Sequence, residues 1–541
     1  MTKKTAARPK KKTTGGNNVG SNNSDNSSGF FYRHKRCVSA KNSEDSTNNT
    51  TPSVEVCEED NRLFQGLVEE CCAKDAETAW TNGRGVPNVK RISNTRLFKL
   101  LRSMPKGALL HAHFPAMVDW TLLLTRVLES PELQGKIYYL RNPQLLREFI
   151  SNEPWLKRNS DAHVWNAPSG FTKNTLTVFP DAQAPPGWEL LNHGTAAFIA
   201  RQMSTSHSWE ALRKNNSLPW SLIKNDSVFR LYFRLLLEEA IADGVQHVEL
   251  KTNLGNLHTK YRYRRGNNAG TSNSNSAPVY DGRWMTEQDE INAMLEVYED
   301  PRFDFKRRIT FRLILGAHRS SPPLVLDRRF DTFLGLYRGN KHVIGGVDIF
   351  GYEDGNKKNK EFMGTLRKLA SAVKDDGTDF VFSVHSGETA NVEYPVDSNL
   401  VSLLKLEARV RVGHGLSLWK YPRLEKMFAD SGKHIEVSPL SNVILGYVDR
   451  VSNHPGLRYH DGGIPISISS DDPSYFGYNY VSYDWFMAVV AWKLQLQDVV
   501  CICLNSIAAS ALLPGDKAKL RNAYTRRLKV FVNALRENTD I

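Results

Sequence analysis

The sequence predicts an α/β protein with a parallel sheet and with its functional residues at the ends of strands. Strand-like apolar runs alternate along the chain with amphipathic helical stretches, such as 229–243 and 361–374. Two histidines follow the first of these runs, and further histidines and carboxylates follow later ones. Parallel α/β proteins place their functional residues at such strand ends.

The first predicted strand ends in a pair of histidines. The apolar stretch 107–110 predicts a short buried strand, and His111 and His113 follow it. Side chains alternate along a strand, so both imidazoles lie on one face. Such a pair forms half of a metal site, although one pair by itself is also common on protein surfaces.

Three later strand-like runs end in residues of the same types. The residues that follow them are His385 with Glu388, then His414, and finally Asp471 with Asp472. Each group alone is more typical of a satisfied core histidine, a turn or a helix cap. Their joint occurrence at separate strand ends indicates one shared site.

The residue types favour a zinc site. Three imidazoles and one carboxylate suit zinc and leave one position open for water. We therefore predict one Zn²⁺ per chain, held by His111, His113, His385 and Asp471. Zinc lowers the pKa of bound water to about 7. Glu388 and His414 are then left to manage the protons.

Six motifs in order resemble the adenosine/AMP deaminase family of zinc aminohydrolases. They lie between residues 95 and 540 and are MPKG with His111 and His113, GVDIFGYE at 346–353, HSGE at 385–388, RVGHG at 411–415, EVSPLSN at 436–442 and SDDP at 470–473. MPKGA at 104–108, GYED at 351–354 and the long segment after the first strand favour the branch of adenosine deaminase-related growth factors, which is adenosine deaminase 2-like.

The resemblance implies a (β/α)8 TIM barrel of the metal-dependent hydrolase (amidohydrolase) type. Eight strand-like runs agree with that architecture. They are 107–114, 247–254, 309–317, 343–350, 380–385, 410–413, 434–438 and 465–470.

The chain is longer than a minimal barrel of roughly 250 residues, so additions are expected. The predicted parts are a disordered basic tail at 1–52, an N-terminal helical segment at 53–103 and a catalytic barrel at 104–541, which includes an inserted subdomain at 130–225 and a low-complexity loop at 264–279. The resemblance implies that the Trp-rich insertion caps the substrate.

The implied reaction is zinc-dependent hydrolytic deamination of adenosine, and of 2′-deoxyadenosine, to inosine and ammonia. Protonated Glu388 would donate to purine N1, and His414 would orient the attacking water and stabilise or accept its proton. Asp472 would hydrogen-bond to N7, or accept a hydrogen bond from the attacking hydroxyl. The backbone of Gly351 would approach N3, where glycine allows a close approach.

The substrate itself is less sharply predicted. Relatives often carry an acid just after the second histidine, where this chain has Phe114 and Pro115, and the nearest acid is Asp119. An apolar rim there would favour a bare base or an N6-substituted substrate, and Arg319 would either face the pocket or pair at the barrel rim. The alternatives are therefore another aminopurine (AMP, adenine or an N6-substituted adenosine), another ring or amide substrate, and a growth-factor-like binding protein with secondary activity.

Charge and cysteine usage bear on partners and compartment. The net charge is +13, and residues 1–50 hold ten Lys or Arg against three acids. That tail is either a solvating segment or a nuclear address, and no pattern indicates nucleic-acid binding. No membrane span or secretory leader is visible, and six cysteines form no disulfide framework. We expect a cytoplasmic protein, with nuclear location or secretion by an unseen route as alternatives. The resemblance implies dimers formed through N-terminal helices. Residues 60–75 could form such a helix, so a homodimer is one possible assembly.

Overall fold

The computed structural model of this chain describes residues 56–140, 175–178 and 188–537 with short gaps. The gaps are at 73–75, 83–84, 205–206, 216–221, 256, 258–262, 265–278, 281–284, 355, 357, 375, 378 and 391–397. The predicted disordered tail lies outside the described residues. So do most of the predicted loop at 264–279 and much of the predicted insertion.

Eight parallel strands form the central sheet, and every neighbouring pair in it is parallel. In sheet order they are β1 (Ala108–His113), β5 (His247–Thr252), β8 (Thr310–His318), β9 (Ile344–Phe350), β10 (Val381–Ser386), β11 (Val410–His414), β12 (His434–Val437) and β13 (Ile466–Ile468). All eight predicted strands are confirmed, with ends that differ by a few residues. The predicted (β/α)8 TIM barrel is confirmed as well.

The barrel closes between its first and last strands. Ala112 pairs in parallel with Asp471, just beyond β13. The amide of His113 donates to the Asp471 carbonyl at 3.3 Å, and the amide of Asp471 donates to the His111 carbonyl at 3.3 Å. This junction brings two histidines of one strand beside a carboxylate of another.

The helices described in the structure cover the barrel, its N-terminal side and the insertion. They are α1 (Glu58–Cys71), α2 (Ala76–Ala79), α3 (Val89–Ser93), α4 (Arg96–Ser103), α5 (Trp120–Glu129), α6 (His193–Met203), α7 (Trp209–Asn215), α8 (Asp226–Ala242), α9 (Glu287–Glu299), α10 (Phe305–Arg308), α11 (Pro323–Gly339), α12 (Met363–Val373), α13 (Ser398–Leu404), α14 (Pro422–Ser431), α15 (Pro439–Ile444), α16 (Gly456–Asp461), α17 (Pro473–Phe476), α18 (Val481–Trp492), α19 (Leu496–Ala509) and α20 (Pro514–Glu537). Among the described residues, no helix has both the length and the apolar character to cross a membrane.

Five short strands lie outside the barrel. β2 (Ile137–Leu140), β3 (Thr175–Val178) and β4 (Trp188–Leu190) form an antiparallel sheet with β2 in the middle. β6 (Tyr263–Arg264) pairs with β7 (Val279–Tyr280) in antiparallel fashion. The first sheet and helices α6 and α7 lie between β1 and β5 in sequence, which is where the insertion was predicted.

Helix α1 packs against the chain's own C-terminal helices. Its buried face includes Phe64 and Val68, while the Gln65 side chain donates to the Leu494 carbonyl at 2.8 Å. At its first turn, the buried Asp60 carboxylate pairs with Arg536 of α20 at 2.6 Å. The apolar stripe of this helix is therefore covered from within the same chain.

Candidate active site

Four side chains converge where the barrel closes. His111 and His113 come from β1, His385 from β10 and Asp471 from the turn after β13, and one ligand atom of each lies within 4.8 Å of the others. Asp471 Oδ1 is 3.3 Å from His111 Nε2 and 3.2 Å from His113 Nε2. The structure thus brings all four predicted ligands together. A Cβ at Gly413 would lie 3.0 Å from His111 Cε1, so a glycine on β11 makes room for the ring.

Two residues of the site have left-handed backbone conformations. His414 has φ 64° and Asp471 has φ 62°. Such conformations cost residues other than glycine of order 1–3 kcal/mol, and they persist where the surrounding structure holds them. Here His414 is the last residue of β11, Asp471 lies just beyond β13, and both side chains belong to the same group as Glu388.

Buried carboxylates hydrogen-bond to the Nδ1 atoms of two of the predicted ligands, His111 and His385. Glu436 Oε2 is 2.8 Å from His111 Nδ1, and Asp348 Oδ1 is 3.0 Å from His385 Nδ1. A carboxylate at Nδ1 keeps the proton there and leaves Nε2 as a lone-pair donor. His111 Nε2 is buried and has no hydrogen-bond partner among the described residues. Three imidazoles and a carboxylate with such an unsatisfied nitrogen fit a bound divalent metal.

Lys251 connects the two supporting carboxylates. Its ammonium lies 3.3 Å from Asp348 Oδ2 and 3.2 Å from Glu436 Oε2, and it donates to Ser383 Oγ at 2.5 Å. Its side chain and both carboxylates are fully buried. The two carboxylates, which come from different strands, therefore share one cation, and Glu436 also pairs with Arg411, whose Nε lies 2.7 Å from Oε1.

A carboxyl group and an imidazole face each other beside the ligands. Glu388 Oε1 lies 3.5 Å from His414 Nε2, and His414 Nε2 is 3.9 Å from Asp471 Oδ2. Burial raises the pKa of Glu388 well above its usual range, and the negative charges of Asp471 and Glu353 add to the shift. Burial also lowers the pKa of His414 well below its usual value. A protonated acid and a neutral imidazole suit these surroundings.

Glu353 positions the loop that carries Glu388. Its carboxylate accepts from the amides of Gly387 at 3.1 Å and Glu388 at 2.8 Å, and from the side-chain amide of Asn399. Gly387 has φ 77°, a conformation that favours glycine. Glu353, the last residue of the GVDIFGYE motif, therefore contacts the HSGE motif directly.

Arg319 lies behind the pocket. It is fully buried, donates to the His385 carbonyl at 2.8 Å, and is 3.5 Å from Asn359 Oδ1. The two predicted alternatives were a pocket-facing residue and a rim salt bridge, and these two contacts are instead with a backbone carbonyl and a side-chain amide. The guanidinium holds the backbone of a ligand strand.

A model of the family described as adenosine deaminase matches residues 198–526 of this chain. The chain belongs to the adenosine deaminase family. It is 27% identical to adenosine deaminase 2 of Pongo abelii over 457 residues, which cover 82% of this chain and 81% of the relative. This likeness agrees with the predicted adenosine deaminase 2-like branch, and the chain is accordingly a hydrolytic deaminase.

Two solved structures share the fold at low identity. Adenine deaminase from Arthrobacter aurescens superposes with a TM-score of 0.52 at 19% identity, covering 79% of this chain and 99% of that one. The N6-methyl-AMP deaminase from Arabidopsis thaliana gives a TM-score of 0.52 at 15% identity, covering 79% and 98%. At these identities the likeness concerns the barrel alone.

The predicted apolar rim at Phe114 is wrong. Phe114 is fully buried and packs against Tyr232 and Phe229 of α8, with ring centroids 5.1 and 5.3 Å away. The Tyr232 hydroxyl also donates to the Phe114 carbonyl at 2.6 Å. Asp119 is the N-cap of α5 and accepts from the Leu122 amide at 2.8 Å. Phe114 is therefore a core residue in this member of the adenosine deaminase family.

The other two predicted substrate-side residues follow strand ends of the site: Asp472 comes directly after Asp471, and Gly351 comes after Phe350, whose ring lies 5.9 Å from the His113 ring. Burial and the charge of Asp471 raise the pKa of Asp472 to about 7. Gly351 has φ 106°, and a Cβ there would lie 2.5 Å from His318 Nε2. Beyond Gly351, the Tyr352 ring contacts Trp209 of α7 at 5.5 Å between centroids. A helix from the insertion region therefore reaches the loop after β9.

Several supporting residues were not assigned roles from the sequence. Asp348 and Glu436 lie inside the motifs quoted above, while Lys251 lies in β5. The available signal was a charged residue within a short strand whose neighbours are apolar. A fully buried charge needs a partner, so each of these residues indicated a buried ion pair.

Proposed function

We propose that this chain deaminates adenosine and 2′-deoxyadenosine hydrolytically to inosine and ammonia with one Zn²⁺ per chain. The observation that carries the proposal is the group of four ligand atoms within 4.8 Å, next to a buried Glu388–His414 pair. Membership of the family supplies the class of reaction, and these residues supply the means to perform it.

The metal would be held by His111, His113, His385 and Asp471. This set of three nitrogens and one oxygen suits zinc, and it leaves room for a water molecule. When bound, zinc supplies a nucleophile at neutral pH by lowering the pKa of its water to about 7. Glu436 and Asp348 keep two of the imidazoles oriented towards the ion.

Glu388 would act as the proton donor to purine N1. Its Oε1 is buried and has no hydrogen-bond partner among the described residues, and its surroundings raise its pKa. A neutral acid can donate to N1, which withdraws electrons from C6 and prepares it for attack by water. Glu353 fixes the loop that presents this acid.

The remaining roles concern orientation. His414 would orient the attacking water. Asp472, whose pKa is raised to about 7, would donate a hydrogen bond to purine N7 when protonated, or accept one from the attacking hydroxyl as a carboxylate. The backbone of Gly351 would approach N3, because its positive φ and the adjacent His318 leave space for no side chain. The amino group leaves C6 as ammonia and the water oxygen remains on the ring.

A different aminopurine is the second candidate. Phe114 packs in the core and Asp119 caps a helix, so neither supplies the ribose contact expected just after the second histidine. If the pocket rim selects the substrate, and not the position just after His113, the enzyme would accept adenine, or an N6-substituted adenosine or nucleotide. The names of the two solved neighbours match these classes, and the complete set of functional residues argues against a purely binding role.

The test is ultraviolet turnover by zinc-replete protein with adenosine, 2′-deoxyadenosine, AMP, adenine and N6-methyladenosine. We expect the highest kcat/KM for adenosine. A higher value for another aminopurine would replace adenosine as substrate and retain the reaction. No turnover of any of them would overturn the proposal.

A further inference from the structure

A chain of buried hydrogen bonds leads from the first residue of α16 to His414. The amide of Gly456 donates to His454 Nδ1 at 2.9 Å. His454 Nε2 lies 3.0 Å from Asn442 Oδ1, and Asn442 Nδ2 lies 3.2 Å from His414 Nδ1. All of these residues are buried. None of the roles in the proposed function uses Asn442 or His454.

The donor and acceptor roles in this series of hydrogen bonds follow from its first donor. A backbone amide can only donate, so His454 Nδ1 must accept. Burial lowers the pKa of His454 to about 3, so its ring is neutral and carries its proton on Nε2. That proton requires an oxygen acceptor, which fixes Oδ1 of Asn442 towards His454 and its NH2 group towards His414. His414 Nδ1 then accepts, and the single proton of His414 lies on Nε2.

We propose that Asn442 and His454 are positioning residues that fix His414 as its Nε2–H tautomer. In this form His414 donates a hydrogen bond into the space between Glu388 and Asp471, which lie 3.5 and 3.9 Å from Nε2. It orients the attacking water by donating to the water oxygen and does not take the water's proton, which passes instead to the Asp472 carboxylate that accepts from the attacking hydroxyl. This inference deepens the proposed function and rests on it.

The surrounding residues hold Asn442 and His454 in the positions that this series of hydrogen bonds requires. The backbone carbonyl of Asn442 accepts from the amides of Tyr447 and Val448 at 2.9 and 3.2 Å, which fixes the turn after α15. The His454 ring packs on Trp492 at 5.9 Å between centroids. A Cβ at Gly456 would lie 2.7 Å from Trp492 Cη2, so glycine lets the donating amide approach.

The decisive variant is Asn442→Asp, which is almost isosteric but offers only acceptors. Both histidines would then donate to the carboxylate, and the proton of His414 would move to Nδ1. We expect kcat to fall by about 100-fold or more, the usual loss when one oriented donor is removed, with KM and bound zinc within about twofold of the original. An unchanged kcat would overturn the proposal.

The matched control is Asn340→Asp. Asn340 is also buried, and its amide exchanges hydrogen bonds with Gln288 near the end of α11. It tests whether a new buried carboxylate by itself lowers kcat. An equal loss in both variants would overturn the proposal.

A spectroscopic measurement on the unsubstituted protein keeps the test independent of variant folding and of activity. Protein labelled with ¹⁵N in histidine reports which ring nitrogen carries the proton, with His414 assigned by comparison with His414→Gln. We expect protonated Nε2 and unprotonated Nδ1. The reverse pattern would overturn the inference at any level of turnover. The expected pattern in a protein that deaminates no aminopurine would retain the tautomer assignment and reject the proposed function.

Discussion

The proposed metal pocket and the proposed substrate rim of this barrel differ in how they are built. In the metal pocket (His111, His113, His385 and Asp471), buried carboxylates and Lys251 fix the ligands. At the substrate rim (Gly351, Tyr352 and Trp209), residues from a loop and from the insertion region meet through a ring contact. In TIM barrels generally, strand ends carry the chemistry and connecting segments vary with the substrate, and the proposed roles follow that division.

The largest expected effect concerns the proton donor in the metal pocket. Glu388→Gln keeps the shape and removes the transferable proton, so we expect kcat to fall by about 1,000-fold. Steady-state turnover and bound zinc are measured together, with the exposed Glu407→Gln as control. Turnover at the original rate would show that another group protonates N1.

Phe114→Ala tests whether the position after the second histidine belongs to the core or to the substrate rim. The buried ring packs against α8, so we expect the free energy of unfolding to fall by about 3–5 kcal/mol. Denaturant unfolding measures it. Phe198→Ala, at a position that is 54% exposed, should change it by less than about 0.5 kcal/mol. Unchanged stability with a strongly raised KM for adenosine would return Phe114 to the rim.

Lys251→Met tests whether the support beneath the metal pocket matters for the metal. Asp348 and Glu436 would lose their shared cation, so we expect zinc affinity to fall by about 10- to 100-fold, as when outer partners of metal ligands are removed. Competition with a chromophoric chelator measures it. The control is Lys106→Met, a buried lysine 3.8 Å from Asp243 and outside the pocket. Equal zinc affinity in both folded variants would contradict the role of Lys251.

The smallest expected effect concerns the substrate rim. Trp209→Ala removes the ring that contacts Tyr352, so we expect KM to rise by about three- to tenfold with kcat nearly unchanged, as when uniform binding is lost. Trp209→Phe should retain most of the affinity. A loss in kcat alone would assign Trp209 to the chemistry instead.

The sequence indicates which residues come together in the proposed metal pocket better than it indicates those of the proposed substrate rim, for a physical reason. His111, His385 and Asp471 stand at the ends of short apolar runs, and strand order brings such ends together in any parallel barrel. The eight strands could be found in the same way. Phe114 could not be placed, because its direction depends on the packing of Tyr232 and Phe229 more than 100 residues away in sequence.

The supporting residues were hidden for another reason. Lys251, Asp348 and Glu436 come from three different strands, and their pairing depends on the register across the barrel. A sequence indicates that each buried charge needs a partner, but not which one. The same holds for Asn442, which hydrogen-bonds to His414, and for His454, which hydrogen-bonds to Asn442. These contacts depend on the turn after α15 and on the start of α16.

The most direct test of the central claim is titration of zinc into chelator-treated protein while adenosine turnover is followed. The metal pocket predicts that activity rises linearly, reaches its maximum at one Zn²⁺ per chain, and is absent throughout in Asp471→Asn. Full turnover in the chelator-treated protein, or equal restoration in Asp471→Asn, would contradict the assignment of the metal pocket as the centre of the reaction.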